Sequence, residues 1–142
     1  MNAVLVGVDG SDGSRQAAEF ASGLARRCGA QLTVIHVIEP LQEGMVSLFG
    51  LPSEQLRERQ YRYGERMVAE LCEELGLGGA EQVIDVGQVP EAICAQAQER
   101  DVDLIVVGAH GHGPHRLLPG SVSSRLVKMA DRSVTVVRGV GR

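Results

Sequence analysis

The chain has 142 residues, a net charge of −4 at pH 7, 44% hydrophobic residues and 23% charged residues. That length fits one domain, 1–142, large enough to bury about two-thirds of its unfolded surface, and the composition is that of an ordinary globular protein rather than a disordered chain. No apolar run approaches the ~20 residues that span a bilayer, the acidic balance lacks the basic footprint of a nucleic-acid binder, and Phe20, Phe49, Tyr61 and Tyr63 are too few aromatics for a base-stacking platform.

Residues 3–8, Ala-Val-Leu-Val-Gly-Val, form a continuous apolar run and read as a first strand covered by helices on both faces. The run has no basic lead, so it is expected to be a strand and not a secretion signal, and the protein is expected to be cytoplasmic. A turn-forming cluster follows, Asp9-Gly10-Ser11-Asp12-Gly13-Ser14. Ala17, Phe20, Ala21, Leu24, Ala25 and Cys28 then recur at helical steps up to Gly29, which suits a C-terminal cap. Residues 32–38 read as a second strand, and 40–52 as an unusually apolar loop. This loop is expected to cover the core, flap over a ligand or meet a partner. Ser53 is placed to cap a long helix whose inward stripe is expected to be Leu56, Tyr63, Met67, Leu71 and Leu75, ending at Gly76.

Residues 82–86 read as a third strand, Pro90 to Arg100 as a helix with proline in its first turn, and Asp103 to Val107 as a fourth strand. Gly108 to Gly120 is a glycine-rich loop, Ser121 to about Ala130 a last helix, and Ser133 to Arg138 a fifth strand. Strict alternation of strand and helix specifies an α/β domain: an open, mostly parallel five-stranded sheet with helices on both faces, Rossmann-like. Cys28, Cys72 and Cys94 are scattered, contain no C-x-x-C pair and are expected to be buried small hydrophobes in a reducing compartment. His36 lies in an apolar strand and is expected to be a hydrogen-bonded core residue rather than a ligand.

In an open parallel sheet, ligands sit outside the carboxyl ends of strands where the strand order reverses. The loops after strands one and four depart from simple turn chemistry, and they share one crevice if those strands are neighbours. The second reads Gly108-Ala109-His110-Gly111-His112-Gly113-Pro114-His115-Arg116-Leu117-Leu118-Pro119-Gly120-Ser121. Its glycines allow close backbone approach. The helix that opens at Gly120-Ser121-Val122-Ser123 offers free N–H groups and a dipole to a phosphate. Arg116 is within reach of such a phosphate. The same glycines would also serve a plain connector, and no Walker loop is present, since Lys128 is the only lysine. His110, His112 and His115 form H-x-H-x-x-H, a weak zinc pattern with no cysteine or carboxylate beside it.

These segments together resemble the universal stress protein family over nearly the whole chain. The likeness rests on Val6-Gly7-Val8-Asp9-Gly10-Ser11, His36-Val37, Asp85-Val86-Gly87, Asp103-Leu104-Ile105-Val106-Val107-Gly108, and a G-x-x-G stretch followed by G-S. The family's nucleotide-binding members place nine residues between those two glycine elements. Here Gly111 and Gly120 are separated by eight, with Pro119 directly before Gly120. The resemblance implies an adenine nucleotide alpha hydrolase-like fold of the ATP-binding class. It places Val8 and Val37 at the adenine, Val37 through its backbone, and Asp9 with Gly10 and Ser11 near the ribose and base. Gly108, His110 and Gly111 would form the ribose and phosphate turn, and Gly120, Ser121, Val122 and Ser123 the phosphate clamp. Mg²⁺ would be held mainly by the phosphates, with no metal site of the protein's own.

The expected function is a nucleotide-binding stress-response module, a homodimer through its C-terminal strand, with slow hydrolysis at most. Two alternatives remain at this stage. One is a nucleotide-free scaffold, favoured by the short loop and Pro119. The other is an ATP hydrolase or phosphotransferase using Ser11 or Ser121 with a histidine, for which no G-x-S-x-G elbow is present.

Overall fold

The computed structural model describes residues 1–40, 48, 50, 53–109 and 121–139. Five strands form one sheet: β1 (Ala3–Gly7), β2 (Gln31–Ile38), β3 (Glu81–Val86), β4 (Leu104–Gly108) and β5 (Ser133–Val137). Their order across the sheet is β3-β2-β1-β4-β5, and every pairing is parallel. Among the described residues four helices connect them: α1 (Asp12–Cys28), α2 (Ser53–Glu74), α3 (Val89–Glu99) and α4 (Ser121–Met129). The sheet is therefore wholly parallel, and the expected α/β class holds.

The apolar strand runs divide between two layers because successive side chains point to opposite faces. Val4, Val6, Leu32, Val34, Leu104 and Val106 pack against α1 and α2. Leu5, Ile35, Ile105 and Val107 pack against α3 and α4. Val4, Leu5, Val6, Val34, Ile35, Ile105 and Val106 are completely buried, so the sheet centre is dry on both faces. Helix α1 can lie close to it because its buried positions are small: Ala17, Ala18, Ala21, Ser22 and Ala25. Gly29 ends that helix in the left-handed conformation at φ +66°, as its sequence position suggested.

Three expectations are corrected. Val8 lies beyond the last rung of β1, which stops at Gly7. Tyr63 is not on the inward stripe of α2 but 62% exposed. Its neighbour Gly64 is buried in its place. Helical spacing allows either residue to face inward, and apolarity favours tyrosine. The sheet decides, because a β-carbon at 64 would come 2.8 Å from His36 Cδ2 and force the ring to shift. Cys28 is exposed and Cys94 half-buried, so the uniform burial expected of the cysteines holds only for Cys72. Burial pushes the Cys72 thiol up from its ordinary range. The apolar loop of residues 40–52 lies largely outside the described residues.

Candidate functional site

The strand order places the switch point between β1 and β4. From β1 the chain steps outward to β2 and β3, then returns to the far side of β1 with β4. Val4, Leu5 and Val6 pair with Leu104, Ile105 and Val106, so the turns that leave Gly7 and Gly108 emerge side by side at the carboxyl edge. The condition that sequence alone left open, that strands one and four are neighbours, is met.

The first turn is fixed by a closed set of hydrogen bonds. Val8 N–H donates to Ile35 O at 2.8 Å, and His36 Nδ1 donates to Val8 O at 2.8 Å. Beyond Val8 the chain bends, with Gly10 at φ +85°, a conformation that favours glycine. Asp9 Oδ1 accepts from Ser11 N at 2.9 Å and from Ser11 Oγ. Ser11 Oγ in turn accepts from Ser14 N at 3.1 Å and so caps α1. Ser14 Oγ donates to Ser11 O at 3.0 Å and accepts from Asp9 N at 3.2 Å. The Ser11 hydroxyl thus donates to Asp9 and accepts at the helix start.

The second turn begins where β4 ends. Ala109 N donates to Val137 O at 3.0 Å, which carries the β4–β5 ladder one step past the strand. Gly108 lies against the first turn of α1: a β-carbon there would come 2.7 Å from Gly13 O and 2.8 Å from Gly13 C. The glycine is therefore required by helix packing whether or not a ligand approaches it. His110, Gly111, Arg116 and Gly120 lie outside the described residues, as does the H-x-H-x-x-H stretch. Ser121 is the first residue of α4, Val122 packs half-buried on the α3–α4 layer, and Ser123 is 6% exposed. Val37 is 9% exposed with its side chain in that same layer, which leaves its backbone as the part of it able to meet a ligand at the β2 end.

The two helix starts at this edge differ in charge. Helix α1 carries Asp12 in its first turn and the Asp9 carboxylate against its cap, so its dipole is already met by anions. Helix α4 has no acidic residue in its first turn. Among the described residues no group of three His, Cys, Asp or Glu side chains could hold a metal ion.

The sequence reading placed Gly13 and Ser14 in the first crevice loop without assigning them a contact, and it missed Gly64. Ser11-x-x-Ser14 carried a usable signal, since a cap residue and the residue three positions on commonly exchange hydrogen bonds. Gly13 and Gly64 gave none, because each matters only through an element distant in sequence.

A doubly wound, wholly parallel sheet with its candidate crevice at the reversal of strand order is the Rossmann-like class of α/β fold. Residues 1–138 match the model of the universal stress protein family, and the chain belongs to that family. A relative from Thermus aquaticus, described as the universal stress protein in the QAH/OAS sulfhydrylase 3′ region, is 32% identical over 136 residues, covering 95% of this chain and 97% of its own. Among solved structures, the universal stress protein UspA from Lactobacillus plantarum superposes with a TM-score of 0.80 at 27% identity over 96% of this chain and 97% of its own. A universal stress protein solved in complex with cAMP superposes with a TM-score of 0.67 at 26% identity, covering 96% of both chains. No helix among the described residues is long and apolar enough to cross a membrane.

Proposed function

We propose that this universal stress protein binds an adenine nucleotide, ATP with Mg²⁺, in the crevice between β1 and β4, and acts as a regulatory module whose nucleotide state biases partner binding. The observation that carries the reading is the adjacency of the Gly7 and Gly108 exits at the switch point, with an acid-free helix start at Ser121 beside them. The cAMP complex of a structural relative supports an adenine ligand at this fold. In this reading Val8, Asp9, Gly10, Ser11 and the backbone of Val37 receive the nucleoside. Gly108, His110, Gly111 and Arg116 border the ribose and phosphates, and Gly120, Ser121, Val122 and Ser123 clamp the phosphates. Mg²⁺ neutralises phosphate charge and is held mainly by the phosphates.

Hydrolysis is slow in this reading, because phosphoryl transfer needs a water-positioning group and strong charge stabilisation at the γ-phosphate. The available candidates are His110, His112 and Arg116, which form no evident catalytic set. The protein works in the cytoplasm as a homodimer joined through β5. The calorimetric titration of nucleotide-stripped protein with ATP and Mg²⁺ tests the binding: a micromolar or tighter Kd, about −8 kcal/mol or better, is expected.

A nucleotide-free scaffold is the second reading. It is favoured by the eight-residue spacing with Pro119 before Gly120, and by the packing reason Gly108 has for being glycine. Absence of heat at millimolar ATP selects it.

A further inference from the structure

Val8 is the last residue of the first strand's path before the chain bends into the crevice, and consecutive residues of β2 hold it from both sides. Ile35 accepts its N–H through the main chain, and His36 meets its carbonyl through a side chain, each at 2.8 Å. The imidazole thus replaces the next backbone rung at the point where the strands separate. A carbonyl can only accept, so Nδ1 carries the proton. The rest of the ring points at α2, into a notch where Gly64 has no side chain; a β-carbon there would lie 2.8 Å from Cδ2 and 3.6 Å from Nε2. Glycine inside a helix weakens it by about 0.5–1 kcal/mol relative to alanine. The long helix carries this weak residue where the imidazole comes closest.

We propose that His36, seated in the notch left by Gly64, is a positioning residue for the crevice: it fixes the Val8 carbonyl and with it the Asp9–Ser11 turn, so that the packing of α2 sets the geometry of the nucleotide site. The inference rests on the proposed nucleotide binding only for its functional consequence, since the hydrogen bonds of the turn are made by the chain's own groups. Downstream of Val8 the bonds run in series. Asp9 N reaches Ser14 Oγ, and Asp9 Oδ1 holds Ser11, which caps α1. A shift at Val8 therefore passes to the first turn of α1, against which Gly108 of the second loop lies. Movement of α2 and of the region it borders couples to both turns of the site through one ring.

The test compares His36→Phe, which keeps a ring and removes the donor, with His36→Asn, which keeps a donor near the Nδ1 position, and with Gly64→Ala, which crowds the ring without touching the crevice. Amide hydrogen exchange is read on the nucleotide-free full chain, and Mg-ATP affinity is read separately. His36→Phe is expected to raise exchange at Asp9, Ser11 and Ser14 by about tenfold relative to amides of β4 and β5 and to weaken Mg-ATP by about tenfold. Gly64→Ala is expected to act in the same direction, and His36→Asn to stay within about threefold of the parent. The nitrogen spectrum of the parent is expected to show the Nδ1–H form of His36. Unchanged protection of the turn in His36→Phe, or an Nε2–H ring, overturns the inference. Altered protection in the turn with unaltered Mg-ATP affinity overturns its functional part. Altered protection in His36→Phe, with a parent chain that binds no nucleotide, upholds the positioning of the turn and overturns the nucleotide reading instead.

Discussion

Glycine carries three different physical meanings in this chain. Gly10 is needed for its positive φ, Gly64 for the imbedded His36 ring, and Gly108 for the approach of α1 to β4. Only the first is a matter of local conformation; the other two concern space taken up by a distant element. Gly108 gives the sharpest prediction. A β-carbon there meets backbone atoms of Gly13, which cannot rotate away. Gly108→Ala is expected to lower stability by about 1–3 kcal/mol, the usual range for overpacking, measured by denaturant unfolding of nucleotide-free protein. A neutral outcome would mean that α1 slides freely over the end of β4, contrary to the packing described. Histidine 36 follows the same logic: its place in an apolar strand pointed to a satisfied core residue, and the structure supplies the partner, the Val8 carbonyl.

At the scale of elements, β5 is one of the two edges of the sheet. It pairs with β4 on one side only, and Val134, Thr135, Val136 and Val137 are all half-buried in the single chain. An edge strand of this composition offers unpaired backbone groups to another strand, and Val127 and Met129 of the preceding helix are 59% and 42% exposed. The homodimer expected from sequence therefore remains a proposal with a direct test. Light scattering of the intact chain at micromolar concentration is expected to return twice 15.1 kDa; a mass of one chain would sink pairing through this edge. Charge also divides the elements. Asp12 in the first turn of α1 and the acid-free start of α4 make two helix termini at the same edge unequal as anion sites.

For the molecule as a whole, the two edges of the sheet do different work. The carboxyl edge holds the candidate site, and the amino edge holds carboxylates that tie strand starts together. Asp103 Oδ2 accepts from Asn2 N at 2.6 Å and Ala3 N at 3.0 Å, joining the start of β4 to that of β1. Those two backbone N–H groups hold the Asp103 carboxyl below its ordinary range. Hydrogen bonds from Arg100 do the same for Glu81 at the start of β3, and those from Arg132 for Asp131 just before β5. A carboxylate depressed in the folded state contributes its full stabilisation above its unfolded value, about 4. The contribution is lost as pH falls through the lower folded value. The melting temperature is therefore expected to fall with acidification below about pH 5, less steeply in Asp103→Asn than in the parent, as thermal unfolding across pH 3–6 would show. Equal slopes would remove Asp103 from the acid response.

Much of the fold was legible in the sequence for a local reason. The alternation of apolar runs with helical spacing is written into neighbouring residues, and a run such as Leu104-Ile105-Val106-Val107 can be covered on both faces only inside a parallel sheet. Gly29 marks a helix end through its own left-handed backbone conformation. The turn after β1 was legible in the Asp9-Gly10-Ser11 cluster, since such residues bond their own backbone and allow positive φ. What the sequence could not determine depended on contacts between segments far apart in the chain. The adjacency of β1 and β4, the inward turn of Gly64 in place of Tyr63, the seating of Gly108 on Gly13 and the clasp of His36 on Val8 were decided by tertiary structure alone. In each case the deciding quantity is the space between two elements, which no local pattern of residues encodes.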